Sequence, residues 1–167
     1  MKHMPHDLRT QTLDLVNTSR PDAAASGQVA ALISAWLGSL DEEDLAGTSP
    51  DCLAPVLWDG FAQAAKRTVE GCQIAQLRYC DGHGGMATGL LVLNDDMPYL
   101  VDSIVMAMRK QRVAVGAVMN AVLAVRRDAN GNALAVGEAG APLESYVLCL
   151  LSEDLGADEL AALVAKL

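Results

Sequence analysis

A glycine-rich run is the first candidate for chemistry in this chain. Residues 82–87 fit the G-x-G-x-x-A pattern of dinucleotide-binding turns, and Asp102 stands where such proteins carry an acidic residue for the ribose. That pattern requires a helix directly after the glycines, because the helix N-terminus binds the pyrophosphate. Residues 87–93, ATGLLVL, instead have the composition of a strand. We therefore expect a plain hairpin loop here, with dinucleotide binding as the weaker alternative.

Two further pairs of side chains could take part in nucleophilic or acid–base chemistry. Cys80 and His83 are close enough in sequence for a thiol–imidazole dyad, but no further group supports one. Asp95 and Asp96 could act as paired carboxylates. Because adjacent residues point in different directions, a helix cap at Asp96 and a turn contact are the preferred interpretation. The sequence predicts no catalytic residue.

The cysteines and the first two histidines do not form a recognisable metal or disulfide pattern. Cys72 and Cys80 share one predicted strand and are about 26 Å apart, too far for a bridge within that strand. There is no CxxC pair, so a zinc ribbon or a thioredoxin-type site is not supported. His3 and His6 lack the acidic or thiol ligands that would complete a metal shell. We expect no metal site and four free thiols that pack as small apolar side chains. The four cysteines are Cys52, Cys72, Cys80 and Cys149.

The strongest functional signal lies in residues 94–105, NDDMPYLVDSIV. This segment leads from the end of a predicted strand into a helix, whose exposed backbone N–H groups could receive a carboxylate. A well-capped helix without a ligand is the alternative interpretation. We predict a small-molecule site formed by eight consecutive residues: Asn94, Asp95, Asp96, Met97, Pro98, Tyr99, Leu100 and Val101.

Apolar periodicity and turn residues predict the elements that must position this segment. Ser49 should cap one helix, with Pro50 in its first turn, and Asp96 should cap another, with Pro98 in its first turn. The predicted helices cover residues 7–17, 28–40, 50–69, 97–111 and 155–167, and the predicted strands cover 72–80, 87–93, 113–127, 132–136 and 144–151.

From residue 72 onward the order of elements resembles a ferredoxin-like α+β sandwich whose last strand is missing. Strand 72–80 is predicted to form a hairpin with 87–93, so it would occupy the edge where the missing strand normally lies. We therefore expect a permuted antiparallel sheet. Residues 113–127 carry small aliphatic side chains on both faces, which indicates helices on one face of the sheet and a partner or second layer on the other.

Length and charge exclude several classes of protein. The 167 residues suffice for one domain with an extension, and 12 basic against 21 acidic residues give a net charge of −9. Nucleic-acid binding is disfavoured, because it requires clustered Lys and Arg, and so is an anionic membrane surface. No apolar stretch is long enough for a membrane span, and residues 1–15 do not resemble a signal peptide. We expect a cytoplasmic protein.

Three segments of the chain are similar to motifs of one enzyme family. Residues 94–103 resemble an N-D-D-M-P-F-L-V-D-S motif with Tyr99 in place of Phe. Residues 122–128 resemble a V-L-x-V-R-R-D motif, and residues 144–146 resemble an E-S-W motif with Tyr146 in place of Trp. Together these segments resemble the N-terminal region of the large bacterial NAD-specific glutamate dehydrogenases, and the resemblance covers about residues 40–167.

This resemblance implies an ACT-like fold and a regulatory role. Residues 1–70 would form a helical N-terminal extension, and residues 71–167 an ACT-like α+β module with helices on one face of an antiparallel sheet. The MPYL stretch at residues 97–100 would correspond loosely to the D-x-P-G-x-L loop of ligand-binding ACT domains, with Tyr99 at the usual Gly. By resemblance, the parent enzymes oxidatively deaminate L-glutamate to 2-oxoglutarate with NAD, which binds a catalytic region that this chain does not resemble.

The leading hypothesis is a regulatory or assembly domain that has no cofactor and no catalytic activity of its own. Its partners would be a small amino-acid effector, a second copy of the chain or the catalytic domains, but not nucleic acid or a membrane. The alternatives are a structural oligomerisation module and a stand-alone amino-acid-binding protein.

Overall fold

The computed structural model of the chain describes residues 5–20, 27–41, 43–45, 47–68 and 70–167. Helices come first along the chain, and a sheet with two further helices follows. The elements are α1 (Pro5–Ser19), α2 (Gln28–Gly38), a 3-10 turn (Glu43–Leu45), α3 (Pro50–Ala64), β1 (Gln73–Cys80), β2 (Met86–Asp95), α4 (Leu100–Lys110), β3 (Val115–Arg127), β4 (Ala133–Val136), β5 (Leu143–Leu151) and α5 (Ala157–Val164).

The five strands form one antiparallel sheet in the order β1-β2-β5-β3-β4. The hairpin of β1 and β2 is in register from Gln73 opposite Leu93 to Cys80 opposite Met86. β5 lies between β2 and β3, which is the arrangement of a split βαβ unit with α4 as its crossover. β1 occupies the edge beside β2. The α+β class and the permuted sheet are therefore confirmed.

Each face of the sheet is covered by a different set of helices. Helices α4 and α5 pack on one face, where Met108 and Leu163 contact a cluster that includes Val147. Helices α2 and α3 pack on the other face around Trp36 and Leu148. The ACT-like module thus has its own two helices on one face, as predicted, and the N-terminal helices form the second layer that the aliphatic β3 indicated. The division at residue 70 stays a prediction, although both segments contribute to the cluster around Trp36 and Leu148.

Alternating side chains explain how one sheet serves two cores. In β1, Ile74 packs with the α4–α5 cluster, whereas Ala75, Leu77 and Tyr79 pack with the α2–α3 cluster. This is the period of two that places successive residues of a strand on opposite faces. Neighbouring residues of β1 therefore contribute to opposite cores.

Two tryptophans hold the N-terminal helices in place, one by a hydrogen bond to the sheet and the other by a hydrogen bond between two of the helices. Trp36 is fully buried, and its indole Nε1 donates to the carbonyl of Tyr146 in β5 at 2.9 Å. Trp58 in α3 donates from Nε1 to the carbonyl of Val16 in α1 at 3.1 Å. Each indole therefore buries a large apolar surface without leaving its N–H unsatisfied.

The prediction of four free thiols is wrong for two of them. Cys52 in the first turn of α3 and Cys80 at the end of β1 form a disulfide, with Cα atoms 5.2 Å apart. The sequence reasoning considered only a bridge within one strand, whereas this bond joins a helix to the strand that packs beside it. Cys72 and Cys149 are free, the first exposed and the second buried.

The boundaries of α3 are partly as predicted. Pro50 opens the helix and Ser49 has the extended backbone of an N-cap residue, but the Ser49 side chain makes no capping hydrogen bond. The helix ends at Ala64 and not near residue 69, because Lys66 already pairs with Asn132 in an isolated antiparallel bridge. None of the helices in the described part of the chain is long and apolar enough to cross a membrane.

The close approach of α3 to Trp36 gives a testable prediction. A Cβ at Gly60 would lie 3.0 Å from Cη2 of the buried Trp36 ring. We expect the overpacking in Gly60→Ala to lower the free energy of unfolding by about 1–3 kcal/mol. This loss should exceed the roughly 1 kcal/mol of stability that alanine gains over glycine inside a helix. The free energy of unfolding from urea titration should therefore fall.

Gly38→Ala is the matched control for this substitution. Gly38 ends α2, and a Cβ there would meet no atom within 4 Å. Alanine should leave the stability unchanged or raise it by up to about 1 kcal/mol. Equal stabilisation by both alanines would show that the contact with Trp36 imposes no constraint.

Candidate functional site

The eight residues of the predicted site lie where β2 passes into α4. Asn94 and Asp95 end β2, and Leu100 and Val101 begin α4, where they pack against the α4–α5 cluster. Asp95 is the one residue of this segment that lines the large surface depression described below. Ligand binding by the segment stays a prediction.

The predicted helix cap at Asp96 is wrong. Helix α4 begins at Leu100, its N-cap position is Tyr99, and no side chain caps it. The Asp96 carboxylate accepts a hydrogen bond from the Ser145 hydroxyl at 2.8 Å, and the Asp96 amide donates to the carbonyl of Leu143 at 3.0 Å. Asp96 therefore ties the connection to the start of β5, and Pro98 precedes the helix instead of lying in its first turn.

Three large apolar side chains are exposed around this connection. Tyr99 is 79% exposed, Met97 is 50% exposed and Leu143, opposite Asp96, is 52% exposed. Tyr99 also has a left-handed backbone with φ of 62°, which is uncommon for a residue with a side chain. We refer to Met97, Tyr99 and Leu143 as the apolar rim.

A buried cluster of charged residues lies beside the connection and was missed by the sequence reasoning. Arg127, at the end of β3, donates from Nε to Glu144 Oε1 at 2.9 Å and from Nη2 to Oε2 at 2.9 Å. The Tyr146 hydroxyl donates to Glu144 Oε2 at 2.6 Å. Arg67 approaches Glu144 Oε1 at 3.3 Å and Asp95 Oδ1 at 2.6 Å. The side chain of Glu144 is 5% exposed, and those of Arg67 and Arg127 are 10% and 11% exposed.

The cluster also satisfies backbone carbonyls at the end of α3. Arg127 donates from Nη2 to the carbonyl of Ala64 at 3.0 Å and from Nη1 to that of Gly131 at 2.8 Å. Arg67 donates from Nη2 to the carbonyl of Gly71 at 2.6 Å. Helix C-termini leave their last carbonyls without intrahelical partners, so Arg127 completes α3 as well as neutralising Glu144.

The arginines and Tyr146 stabilise the charged form of Glu144. Burial by itself would raise the pKa of Glu144, but hydrogen bonds from Arg127 and Tyr146, with the positive charge of Arg127, outweigh it and hold that pKa below its ordinary value. Burial and the adjacent carboxylate raise the pKa of Tyr146, so its hydroxyl stays protonated. Glu144 is thus ionised at neutral pH and faces two permanent cations.

An open depression of about 900 Å³ lies over this cluster. Its wall is formed by the segment after α3, the end of β2 and the turn between β3 and β4. The charged residues that line it are Lys66, Arg67, Arg127, Glu70, Asp95, Asp128 and Glu144. Positive and negative groups therefore line one cavity, which suits a small ligand that carries charges of both signs.

The two-residue alternation of side chains along β5 and β3 could have indicated this cluster from the sequence. Glu144 is two residues before Tyr146 and four before Leu148, so a period of two places it on the same buried face. Arg127 likewise follows Val125 on β3. A carboxylate on the inner face of an apolar strand requires a cation, and Arg127 is the candidate in the same phase. Arg67 lies outside any strand or helix, so its role is not visible in a sequence pattern.

The glycine run forms a hairpin turn, as the sequence favoured. It joins β1 to β2, and the Asp81 carboxylate accepts from the amides of His83 at 2.8 Å and Gly85 at 3.0 Å. These backbone hydrogen bonds lower the pKa of Asp81. No helix follows the glycines, so the dinucleotide pattern is accidental here. Cys80 and His83 also form no thiol–imidazole dyad, because the Cys80 sulfur is bonded to Cys52.

The part of the chain that the structure describes contains no group of three His, Cys, Asp or Glu side chains placed to hold a metal ion. His3 lies outside the described residues, and nothing is described of the His6 side chain.

A comparison with protein families identifies what the whole arrangement resembles. A family model described as "Glutamate dehydrogenase, ACT1 domain" matches residues 32–167. Searches of curated proteins and of solved structures gave no match. The matched range includes α3, the sheet, the connection at 94–101 and every residue of the buried cluster.

The lowered pKa of Glu144 predicts how stability depends on pH. A carboxylate with a lower pKa in the folded state stabilises the fold above its unfolded pKa of about 4.3, and that contribution is lost as pH falls through the folded value. Removing the charge leaves the buried guanidinium group of Arg127 without its counterion, while Arg67 keeps Asp95. We expect Glu144→Gln to cost about 3–5 kcal/mol at pH 7 and to weaken the loss of stability below pH about 4.3.

Glu138→Gln is the matched control. Glu138 pairs with Arg126 at 2.8 Å, but both side chains are about half exposed, at 46% and 52%. Its loss should cost less than about 1 kcal/mol and leave the pH profile unchanged. Thermal unfolding between pH 3 and pH 8 measures both variants. Equal losses of stability in the two variants would mean that the buried cluster contributes no more to stability than an exposed ion pair.

Proposed function

The chain belongs to the family of glutamate dehydrogenase ACT1 domains, and we propose that it is the non-catalytic N-terminal regulatory region of an NAD-dependent, cytoplasmic enzyme of that kind. The match over residues 32–167 carries this proposal. The oxidation of glutamate and the binding of NAD would then take place in a separate catalytic region.

The effector in this proposal is a free α-amino acid bound in the depression beside the 94–101 connection. An α-amino acid presents one carboxylate and one ammonium group. Arg67 lies in the wall of the depression beside the exposed Lys66, and the two offer positive charge to the carboxylate. Asp95 and Glu70 line the same depression and offer negative charge to the ammonium group.

Asp95 is the residue through which binding would be transmitted. It is 76% exposed on its own side chain, yet it contacts the nearly buried Arg67 at 2.6 Å. An ammonium group that engages Asp95 competes with Arg67 for the carboxylate. Arg67 in turn contacts Glu144, which Arg127 links to the end of α3. A ligand at Asp95 therefore changes the charge balance that docks α3 on the sheet.

Assembly is a second candidate function, and the apolar rim favours it. Met97, Tyr99 and Leu143 are each at least half exposed, and exposed large apolar side chains grouped together are typical of interaction surfaces. In this alternative the connection at 94–101 docks onto a second copy of the chain or onto the catalytic domains, and no effector is needed.

Calorimetric titration of the purified chain with a panel of L-amino acids tests the effector proposal. We expect saturable heat with at least one of them. Asp95→Asn should weaken that binding at least about tenfold, which corresponds to 1.4 kcal/mol, because the ammonium group loses its counter-charge. Asp154→Asn is the matched control, since Asp154 is likewise an exposed partner of an arginine, Arg78, at 2.7 Å.

Two results would contradict parts of this proposal. If no amino acid produces heat with the folded chain, the effector role is wrong and the assembly role remains. If the purified chain reduces NAD in a glutamate-dependent manner, the non-catalytic assignment is wrong.

Sedimentation velocity over a range of concentrations tests the assembly alternative. Self-association through the apolar rim should be weakened by Leu143→Ser. Leu134→Ser is the control, because Leu134 is exposed to a similar extent, 48%, but lies on β4. Association that responds equally to both substitutions would exclude the rim as the interface.

A further inference from the structure

The disulfide joins the N-terminal helices to the edge of the sheet, far from the charged cluster. Cys52 lies in the first turn of α3, and Cys80 ends β1, 28 residues later. The cluster and the depression lie at the other end of β1, where Gln73 pairs with Leu93 of β2 shortly before Asp95. Seven residues of strand, about 23 Å, separate these ends. The bond is therefore a feature independent of the candidate effector site.

A second contact joins the same two parts of the chain. The turn of residues 81–85 rests on the segment that leads into α3, since a Cβ at Gly82 would lie 2.5 Å from the carbonyl oxygen of Gly47. This turn and residues 47–52 thus form one contact region, which the disulfide closes covalently. We refer to residues 47–52 and 80–85 as the junction.

The rest of α3 has an attachment that does not need the bond. Leu53, Val56 and Leu57 are fully buried in the α2–α3 cluster, and Arg127 holds the last carbonyls of the helix. Loss of the bond should loosen the junction and leave the fold intact. That separation between local and global stability is what a reversible switch requires.

We propose that Cys52 and Cys80 form a reversible thiol–disulfide switch that fastens the 81–85 turn to the start of α3. Cytosolic disulfides, where they occur, are mostly transient or redox-sensing, and the sequence predicts a cytoplasmic chain. The inference does not depend on the effector proposal, since neither cysteine lines the depression.

Oxidation proceeds by two thiol–disulfide exchanges with a low-molecular-weight disulfide, R–S–S–R. Cys80 is the first nucleophile, because it is partly exposed whereas Cys52 is 8% exposed. Its thiolate displaces RS⁻ and forms a mixed disulfide. The Cys52 thiolate, which the N-terminal turn of α3 favours, then attacks the Cys80 sulfur and displaces the second RS⁻. The two cysteine protons end on two RSH molecules, and the two electrons reduce R–S–S–R; a dithiol reverses both steps.

The other two cysteines are poor participants. Cys149 is fully buried in the α4–α5 cluster, and burial raises its pKa to about 12. Cys72 is exposed and directly precedes β1, at the opposite end of that strand from Cys80. Cys72 thus provides a control thiol away from the junction.

The test uses the full 167-residue chain in buffers with graded ratios of oxidised to reduced dithiothreitol. Each sample is quenched and unfolded, its free thiols are then alkylated, and the alkylated cysteines are assigned by peptide mass mapping. We expect Cys52 and Cys80 to be protected together in oxidising buffer and alkylated together in reducing buffer, reversibly. Cys72 and Cys149 should be alkylated in both.

Hydrogen exchange of the same samples measures the conformational effect. Reduction should increase exchange at least about tenfold at the junction while exchange around Arg127 and Glu144 is unchanged. The melting temperature should be lower in the reduced chain. Cys72→Ser should retain all of these differences, and Cys52→Ser with Cys80→Ser should abolish them and behave like the reduced chain.

Three results would overturn the switch. Cys52 and Cys80 could be alkylated at every ratio, or the bond could form with a different cysteine. The bond could also form while exchange at the junction is the same in both states. These measurements on the unmodified chain decide the proposal even if the double variant does not fold.

Discussion

The fold depends on a single buried carboxylate that must be neutralised. Glu144 is 5% exposed, and a charge at such a position destabilises the folded state unless cations and hydrogen-bond donors surround it. Arg127 comes from β3, Arg67 from the segment after α3 and Tyr146 from the same strand as Glu144. The requirement of one side chain therefore fixes the relative positions of the sheet and of the chain that leaves the N-terminal helices.

Helix α3 is held at both of its ends by polar or covalent contacts and along its length by apolar ones. Arg127 binds the carbonyls at its C-terminal end, the Cys52–Cys80 bond fixes its first turn, and Leu53, Val56 and Leu57 are buried between them. The helix has 15 residues and so spans about 22 Å. Because the two end contacts are of different chemical kinds, a change of redox potential acts at one end and a change of charge at the other.

The sequence predicted those features of the fold that depend on local patterns. Turn residues and apolar runs predicted the hairpin of β1 with β2, and the hairpin placed β1 at the edge that a ferredoxin-like sheet leaves open. Features that depend on distant partners were missed or wrong. Cys52 and Cys80 meet only because α3 packs beside β1, and Asp96 binds Ser145 instead of capping α4. The cluster was partly visible in the phase of Glu144 and Arg127, but the contribution of Arg67 depends on where the chain runs after α3.

The family resemblance and the physical constraint converge on the same residues. The R-R-D and E-S-Y segments, which the sequence alone marks only as motifs, supply Arg127, Glu144 and Tyr146 to one buried cluster. The N-D-D-M-P segment supplies Asp95, whose carboxylate contacts Arg67 at 2.6 Å. Three motifs that lie apart in the sequence thus meet at one end of the sheet, because Arg127 neutralises Glu144 and Arg67 joins Glu144 to Asp95. The exposed Asp95 is the member of this group that a ligand in solution can contact. Through Arg67 and Glu144, such a contact would alter the ion pairs of Arg127, which holds the end of α3.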